Sequence, residues 1–437
     1  MNIAVIGTGY VGLVTGVCLS HIGNSVTCID IDLDKIAKLQ NGLSPIYEEG
    51  LEEMLRTNLH RKQLNFTSDY KKGLTDKDVI LLAVGTPQHE DGFADLSALF
   101  SACRAIAPHL HEHTIIVTKS TVPIGTNERI KQYMEQNGVQ HFSVKIVSAP
   151  EFLRQGSAVH DTFHGDRIVI GGEDPAAVQT VEELYRPFNI PIIKTDLRSA
   201  EMIKYASNAF LAAKISFINE MANLCEHAGA NVADVSQGIG MDRRIGKHFL
   251  SAGAGYGGSC FPKDLSAIIA YGRDVDYPLS ILENVQAVNE RQTVLLAEKI
   301  RKKFGHPEGK TFAILGLAFK PGTDDMRNAP SIPLINELIE SGAGINTFDP
   351  AATENAKNIL PKGVNYAGTI DEALAGADGA VIVTDWQQIK DYPLNSFKKH
   401  LVNPVIFDGR NCFSLEQMNG SGIEYYSIGR PAIHLKG

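Results

Sequence analysis

The chain is poor in several features, and each scarcity excludes a class of protein. Its six cysteines (Cys18, Cys28, Cys103, Cys225, Cys260 and Cys412) form no CxxC pair and follow no regular spacing. Neither a disulfide framework nor a zinc knuckle is indicated, and a reducing, cytoplasmic setting fits best. No run of 18 residues is apolar and uncharged throughout, so no membrane span is expected. No Lys or Arg precedes Lys35, so the apolar first 29 residues lack the basic start of a signal peptide. Basic charge is in deficit: 41 Lys and Arg against 50 Asp and Glu leave a net charge of −9, which argues against a nucleic-acid partner. What remains is an ordinary globular composition, 43% hydrophobic and 21% charged, in 437 residues, enough for two to four domains.

The N-terminus holds the first positive signal. Asn2-Ile3-Ala4-Val5-Ile6 reads as a buried strand, and Gly7-Thr8-Gly9-Tyr10-Val11-Gly12 follows it. A helical run spans Leu13 to His21, and a second strand from Ser25 to Ile29 ends at Asp30. A lone GxGxxG is weak. Between a strand and a helix, with an acid 18 residues after its third glycine, it becomes a dinucleotide fingerprint. Gly7 permits the tight turn, Gly9 lets a pyrophosphate approach, and Gly12 lets helix and strand pack. The helix start supplies amide donors and partial positive charge. Asp30 can accept both ribose hydroxyls and repels a 2′-phosphate, so the cofactor reads as NAD rather than NADP. The plainer alternative makes Asp30 a turn residue.

Strands continue at 79–84, 114–118, 144–147 and 167–170, with helical stretches between several of them. This alternation predicts a parallel sheet with crossover helices. Its carboxyl edge, where such sheets bind ligands, carries Gly85-Thr86-Pro87, Thr118-Lys119-Ser120-Thr121 and Ala149-Pro150-Glu151. For Thr86 and Thr121, ordinary loop chemistry is an equal reading. Residues 199–229 have no proline and one terminal glycine, which predicts a long helix capped by Ser199 and stopped by Gly229. It is apolar on more than one face, as for burial between domains or subunits. Lys204 and Asn208 share a face, and an ion pair with Glu201 is the competing reading for Lys204. After residue 300, strands at 311–315, 345–348, 380–383 and 404–407 predict a second Rossmann-like half without the three glycines, suited to a single nucleotide. Arg301, Lys302 and Lys303 read as a solvated linker. The expected class is α/β: two Rossmann-like, doubly wound domains joined by a long central helix, with bounds 1–198, 199–300 and 301–437.

The most unusual stretch runs from Phe249 to Asp264. Gly253, Gly255, Gly257 and Gly258 predict a flexible arc with many unoccupied amides, and Cys260 follows at once. Pro262 suits a first helical turn. A helix start with Lys263 nearby favours a thiolate at Cys260; a small loop residue is the competing reading. The other five cysteines read as inert packing. A nucleophilic thiol beside NAD suggests aldehyde oxidation through a thiohemiacetal and a thioester. Lys204 and Asn208 could serve its oxyanions.

GTGYVG (7–12), STVP (120–123), APEFLR (149–154), KYASN (204–208), RRIGKHFLSAGAGYGGSCFPKD (243–264) and GLAFKPGTDDMR (316–327) together resemble the UDP-glucose/GDP-mannose dehydrogenase family over essentially the whole chain. The wording around Cys260 is nearer the UDP-glucose branch than relatives acting on GDP-mannose or UDP-N-acetylmannosamine. The resemblance implies oxidation of UDP-glucose at carbon 6 to UDP-glucuronate with two NAD. It implies Cys260 as nucleophile, Lys204 and Asn208 at the oxyanions, Asp264 and Thr118 around a water, and Glu151 in thioester hydrolysis. Glu151, Phe152, Leu153, Arg154 and Lys204 would hold the sugar nucleotide. So would Phe249, Leu250, Ser251, Ala252, Gly253, Gly257 and Lys320. Arg244 would reach the site of a neighbouring subunit in a homo-oligomer, expected to be a dimer. Gly7, Gly9, Val11, Gly12, Asp30, Lys35, Thr86, Thr121, Lys263 and Arg327 would hold NAD. No metal and no membrane or nucleic-acid partner is implied. One departure stands out: many members have a second Glu four residues after Glu151, and this chain has Gln155, which cannot act as a base. Three rivals remain: a dehydrogenase for another nucleotide sugar, a two-electron enzyme of the β-hydroxyacid type, and a non-catalytic NAD-binding scaffold.

Overall fold

The structure, a computed structural model, describes residues 1–137 and 142–435. The chain divides into two units: Met1–Ser207 with Ser266–Tyr277, and Asn208–Leu265 with Pro278–Gly437.

The first unit is built on eight strands: β1 (Asn2–Ile6), β2 (Ser25–Ile29), β3 (Leu64–Thr67), β4 (Val79–Leu82), β5 (Ile115–Thr118), β6 (Lys145–Ser148), β7 (Ile168–Gly172) and β8 (Ile192–Thr195). Their order is β3-β2-β1-β4-β5-β6-β7-β8. β4 and β5 are buried at every residue, as expected for strands covered on both faces. Helix α1 (Tyr10–His21) packs on the sheet with Gly12 to Ser20 all buried. The strand order reverses between β1 and β4, the crevice where such sheets take ligands. The glycine turn sits there. Gly7 has φ +92°, and a Cβ on Gly12 would lie 2.0 Å from the Gly7 carbonyl oxygen.

The sheet is not parallel throughout. β6 and β7 run antiparallel, pairing Val147 with Gly172 and Ser148 with Gly171. The one helix between them, Ala158–His164, has seven residues. That is about 10 Å, and the chain returns beside β6 instead of crossing the sheet face. β3 and β8, absent from the sequence reading, are four-residue edge strands. Short, partly polar edges carry little periodic signal.

Helix α2 (Leu197–Ala228) has 32 residues, about 48 Å. Asp196, not Ser199, closes its start: its carboxylate accepts from the Ser199 amide (2.8 Å) and hydroxyl (2.6 Å). Gly229 ends it at φ +70°. The division between the units falls within this helix, between Ser207 and Asn208. Helices α3 (Phe261–Asp274) and α4 (Ser280–Phe304) follow.

The second unit carries β9 (Thr311–Leu315), β10 (Gly344–Phe348), β11 (Val364–Tyr366), β12 (Gly379–Ile382), β13 (Val405–Asp408) and β14 (Glu424–Ser427), ordered β11-β10-β9-β12-β13-β14. The order repeats that of the first six strands. Asp349 follows β10 as Asp30 follows β2. It is already filled by protein donors: the amides of Leu317, Ala318, Ala351 and Ala352, and the indole of Trp386. Arg301 to Lys303 are no linker. They form the last turn of α4, with Arg301 paired to Glu337 and Lys303 to Glu424. Among the described residues, no helix is long and apolar enough to cross a membrane.

Candidate functional site

In the first unit, Asp30 closes β2 beneath the glycine turn. One carboxylate oxygen accepts from the Thr8 amide (2.7 Å) and hydroxyl (2.7 Å), the other from the Asp32 amide (3.1 Å). Burial acts to raise its pKa, but these donors and Lys35 outweigh it and hold the carboxyl below its usual range. Lys35 Nζ lies 3.4 Å away. A Cβ on Gly9 would meet nothing within 4 Å, so a ligand phosphate has room to approach the backbone there. These features fit a dinucleotide. Val11 packs partly buried against the core. The Thr86 hydroxyl is engaged with the Thr121 carbonyl at 2.8 Å, tying two edge loops together.

The carboxyl ends of β5 and β6 converge further along the edge. Thr118 pairs in register with Ser148, and the Ala149 amide donates to the Thr118 carbonyl (2.9 Å). Glu151, just beyond, is buried. It accepts from the Leu153 amide (2.5 Å) and from Lys204 Nζ (3.1 Å). Lys204 is buried as well and pairs with Glu151; among the described residues the competing pair with Glu201 does not form. Glu201 instead holds the start of the helix Thr126–Asn137 through Gly125 and Asn127. Burial pushes the Glu151 pKa up, but Lys204, the Leu153 amide and Lys119 together bring it below the usual value. Thr118 Oγ1 is buried with no hydrogen-bond partner among the described residues. Phe152 lies under the Arg167 guanidinium at 3.7 Å. Leu153 packs on the core, and Arg154 makes a bidentate pair with Asp161. Gln155 is partly buried.

In the second unit, Cys260 immediately precedes α3, and its carbonyl accepts the Asp264 amide at 2.8 Å. Ser259 Oγ lies 3.5 Å from its sulfur. Asp264, 1% exposed, receives Asn208 Nδ2 on one oxygen and Lys263 Nζ on the other, each at 2.6 Å. Burial pushes Cys18, Cys28 and Cys103 up to about 12 and Cys412 higher still, while Cys225 is packed in the core.

The glycine arc is closely packed, and several of its amides are already bonded within the protein. Gly253 N binds Asn219, Ala254 N binds Gly409, Tyr256 N binds Asn289 and Gly258 N binds the Arg327 carbonyl, all at 2.8 Å. Its glycines answer to close packing. A Cβ on Gly257 would lie 2.1 Å from the Asn328 carbonyl oxygen, and one on Gly258 would lie 2.8 Å from the Phe319 ring. Phe249 has φ +63° and packs on Phe261. Leu250 and Ala252 are buried, and Ser251 is exposed. The Lys320 amine lies over the Phe319 ring at 5.6 Å. Arg327 is held bidentate by Asp325, which raises its pKa. Arg244 is exposed and pairs with Asp242.

Three residues were given no role of their own by the sequence reading. Thr8 occupies a variable place in the fingerprint, and Lys119 sits in a loop whose partners come from distant segments. Arg410 binds the carbonyls of Val383, Gly255 and Phe319. Only the position after a strand end could have marked the last two.

Residues 1–189 match the UDP-glucose/GDP-mannose dehydrogenase family NAD binding domain, 198–291 its central domain and 313–415 its UDP binding domain. The chain is 53% identical to a UDP-glucose 6-dehydrogenase, YwqF, of Bacillus subtilis (strain 168), covering 99% of this chain and 98% of that protein. It is 44% identical to a UDP-glucose 6-dehydrogenase of Rhizobium meliloti (strain 1021), covering 99% and 100%. A solved UDP-glucose dehydrogenase from Pyrobaculum islandicum superposes with a TM-score of 0.91 at 35% identity, over 98% of this chain and 96% of that one. Matched along its whole length in sequence and fold, the chain belongs to the UDP-glucose/GDP-mannose dehydrogenase family.

Proposed function

We propose that the protein is an NAD-dependent UDP-glucose 6-dehydrogenase that oxidises carbon 6 of UDP-glucose through four electrons to UDP-glucuronate. NAD is assigned to 1–198, the chemistry to 199–300 and UDP to 301–437. The observation that carries the reading is Cys260: it is partly exposed and opens a helix beside the Asn208–Asp264–Lys263 network, while most other cysteines are buried. Whole-length relatives named UDP-glucose 6-dehydrogenase support the sugar.

Bound NAD supplies the hydride acceptor for both oxidations. Cys260 sulfur adds to the aldehyde carbon, and the carbonyl oxygen takes a proton to give a thiohemiacetal. Loss of hydride from that carbon, with the hydroxyl proton passing to water, leaves a thioester on Cys260. Water attacks it, the carbon–sulfur bond breaks, one proton of the water goes to sulfur and the other to solvent, and carboxylate and thiol are released. Lys204 and Asn208 donate to the oxygens that become anionic. Thr118, with its unpartnered hydroxyl, and Asp264 orient water. Glu151 assists hydrolysis.

The protein acts as a homodimer in this reading. Phe210, Phe217 and Leu224 are exposed at seven-residue intervals on α2, one apolar stripe. The test is to supply NAD with UDP-glucose, GDP-mannose or UDP-N-acetylmannosamine and measure NADH and products. Two NADH per UDP-glucose are expected, abolished by iodoacetamide. One NADH per sugar would favour two-electron chemistry, and none with any sugar would favour a scaffold.

A further inference from the structure

Lys119 is a buried cation, and the chemistry above gives it no task. It follows Thr118 at the end of β5, and only 7% of it is exposed. Its ammonium makes no ion pair or hydrogen bond among the described residues. It lies over the Tyr185 ring, 5.2 Å from the centroid. Burying an ammonium without a carboxylate contact is costly and calls for a reason.

The charged and titratable groups facing it are few. Glu151 comes from the end of β6, Lys204 from α2, and Tyr185 from the end of the helix Pro175–Tyr185. Burial raises the Tyr185 phenol, so it stays neutral. Glu151 therefore faces two buried ammoniums, and Lys204 holds the short contact with it.

We propose that Lys119 is a positioning residue: its positive charge competes with Lys204 for Glu151, loosening Lys204 so that it can donate to oxygen on the substrate carbon. This rests on the oxyanion role given to Lys204. Burial lowers the Lys119 pKa to about 8, Glu151 opposing the shift and Lys204 adding to it. As pH rises through that value Lys119 loses its charge, and Glu151 then holds Lys204 alone.

The experiment measures kcat and KM against pH for the parent, Lys119→Arg, Lys119→Met and Tyr185→Leu. The parent is expected to lose kcat with a midpoint near 8, with KM for NAD unchanged. Arginine keeps its charge across this range, so Lys119→Arg should lose that limb. Lys119→Met should have no limb near 8 and a kcat lower by about tenfold at neutral pH, less than the 10²–10³ that follows loss of an oxyanion donor itself. Tyr185→Leu removes the ring that favours the ammonium and should move the limb to lower pH. If Lys119→Met fails to fold, the arginine and Tyr185 variants decide. An identical limb in parent and Lys119→Arg, or parental kcat in Lys119→Met, would overturn the proposal while leaving the reaction intact. A parent that makes no NADH from UDP-glucose would remove the functional reading and this proposal with it.

Discussion

Charge at single positions governs much of the expected behaviour. Asp30 is held ionised by Thr8, Asp32 and Lys35, beside a glycine turn open to a phosphate. Asp30→Ala should raise KM for NAD and reduce discrimination against NADP, read from initial rates with both cofactors; unchanged constants would refute the assignment. The same carboxylate links stability to pH. Its folded pKa lies below 3.8, so its contribution is present above that value and is lost as pH falls further, through the lower folded value. Asp30→Asn should flatten this part of an acid-denaturation profile. If Cys260 carries the second oxidation as proposed, removing its sulfur should leave the alcohol step its hydride acceptor but remove the tetrahedral adduct from which the second hydride leaves. Cys260→Ala should form at most traces of UDP-glucuronate by mass spectrometry. Acid formation near the parental rate would rule out the thioester route. The residues legible in the sequence were those set by local pattern: the three glycines, Asp30 and Cys260 before a Pro-containing helix start. Lys119 and the Glu151–Lys204 contact needed the register of β5 on β6 and the approach of α2, which no local spacing encodes.

At the scale of elements, the sequence pattern located the central strands and missed the edges. Central strands bury both faces and read as unbroken apolar runs; β3, β8, β11 and β14 are three or four residues long and partly exposed. The glycine arc shows the opposite failure, where a composition typical of flexible loops builds a closely packed one. The two explanations predict different mutants. Gly257→Ala puts a methyl against the Asn328 carbonyl, whereas a Cβ on Gly246, at φ +71°, would meet open space. Gly246→Ala should cost only the left-handed backbone strain, about 1–2 kcal/mol. Gly257→Ala forces the arc away from its neighbour, an overpacking cost of about 1–3 kcal/mol, and should also depress kcat by shifting the segment that leads into Cys260. Thermal melts with matched kinetics compare them. Parental activity in Gly257→Ala would return the arc to the flexible class.

At the scale of the whole molecule, the chain repeats one strand order twice and uses the repeats differently. Asp30 keeps room for a ligand beside it, while Asp349, its counterpart, has its oxygens taken by four backbone amides and an indole. That saturation suits a half that does not hold a second dinucleotide. The proposed homodimer gives Arg244 a task across the subunit boundary. The Arg244 side chain is exposed and, among the described residues, paired only with its near neighbour Asp242, two residues away, and α2 exposes the apolar stripe of Phe210, Phe217 and Leu224. If Arg244 serves the partner's site, Arg244→Ala and Cys260→Ala chains should each be impaired alone yet complement when mixed. In a twofold hybrid, the site with intact Cys260 on the Arg244→Ala chain receives Arg244 from the other chain, and the second site carries both lesions. Half the dimers formed by random mixing are hybrids with one working site in two, so about a quarter of parental activity should return. The measurement is NADH production after co-refolding, with hybrid formation checked by native mass spectrometry. Hybrids that form without regaining activity would place Arg244 outside the partner's site.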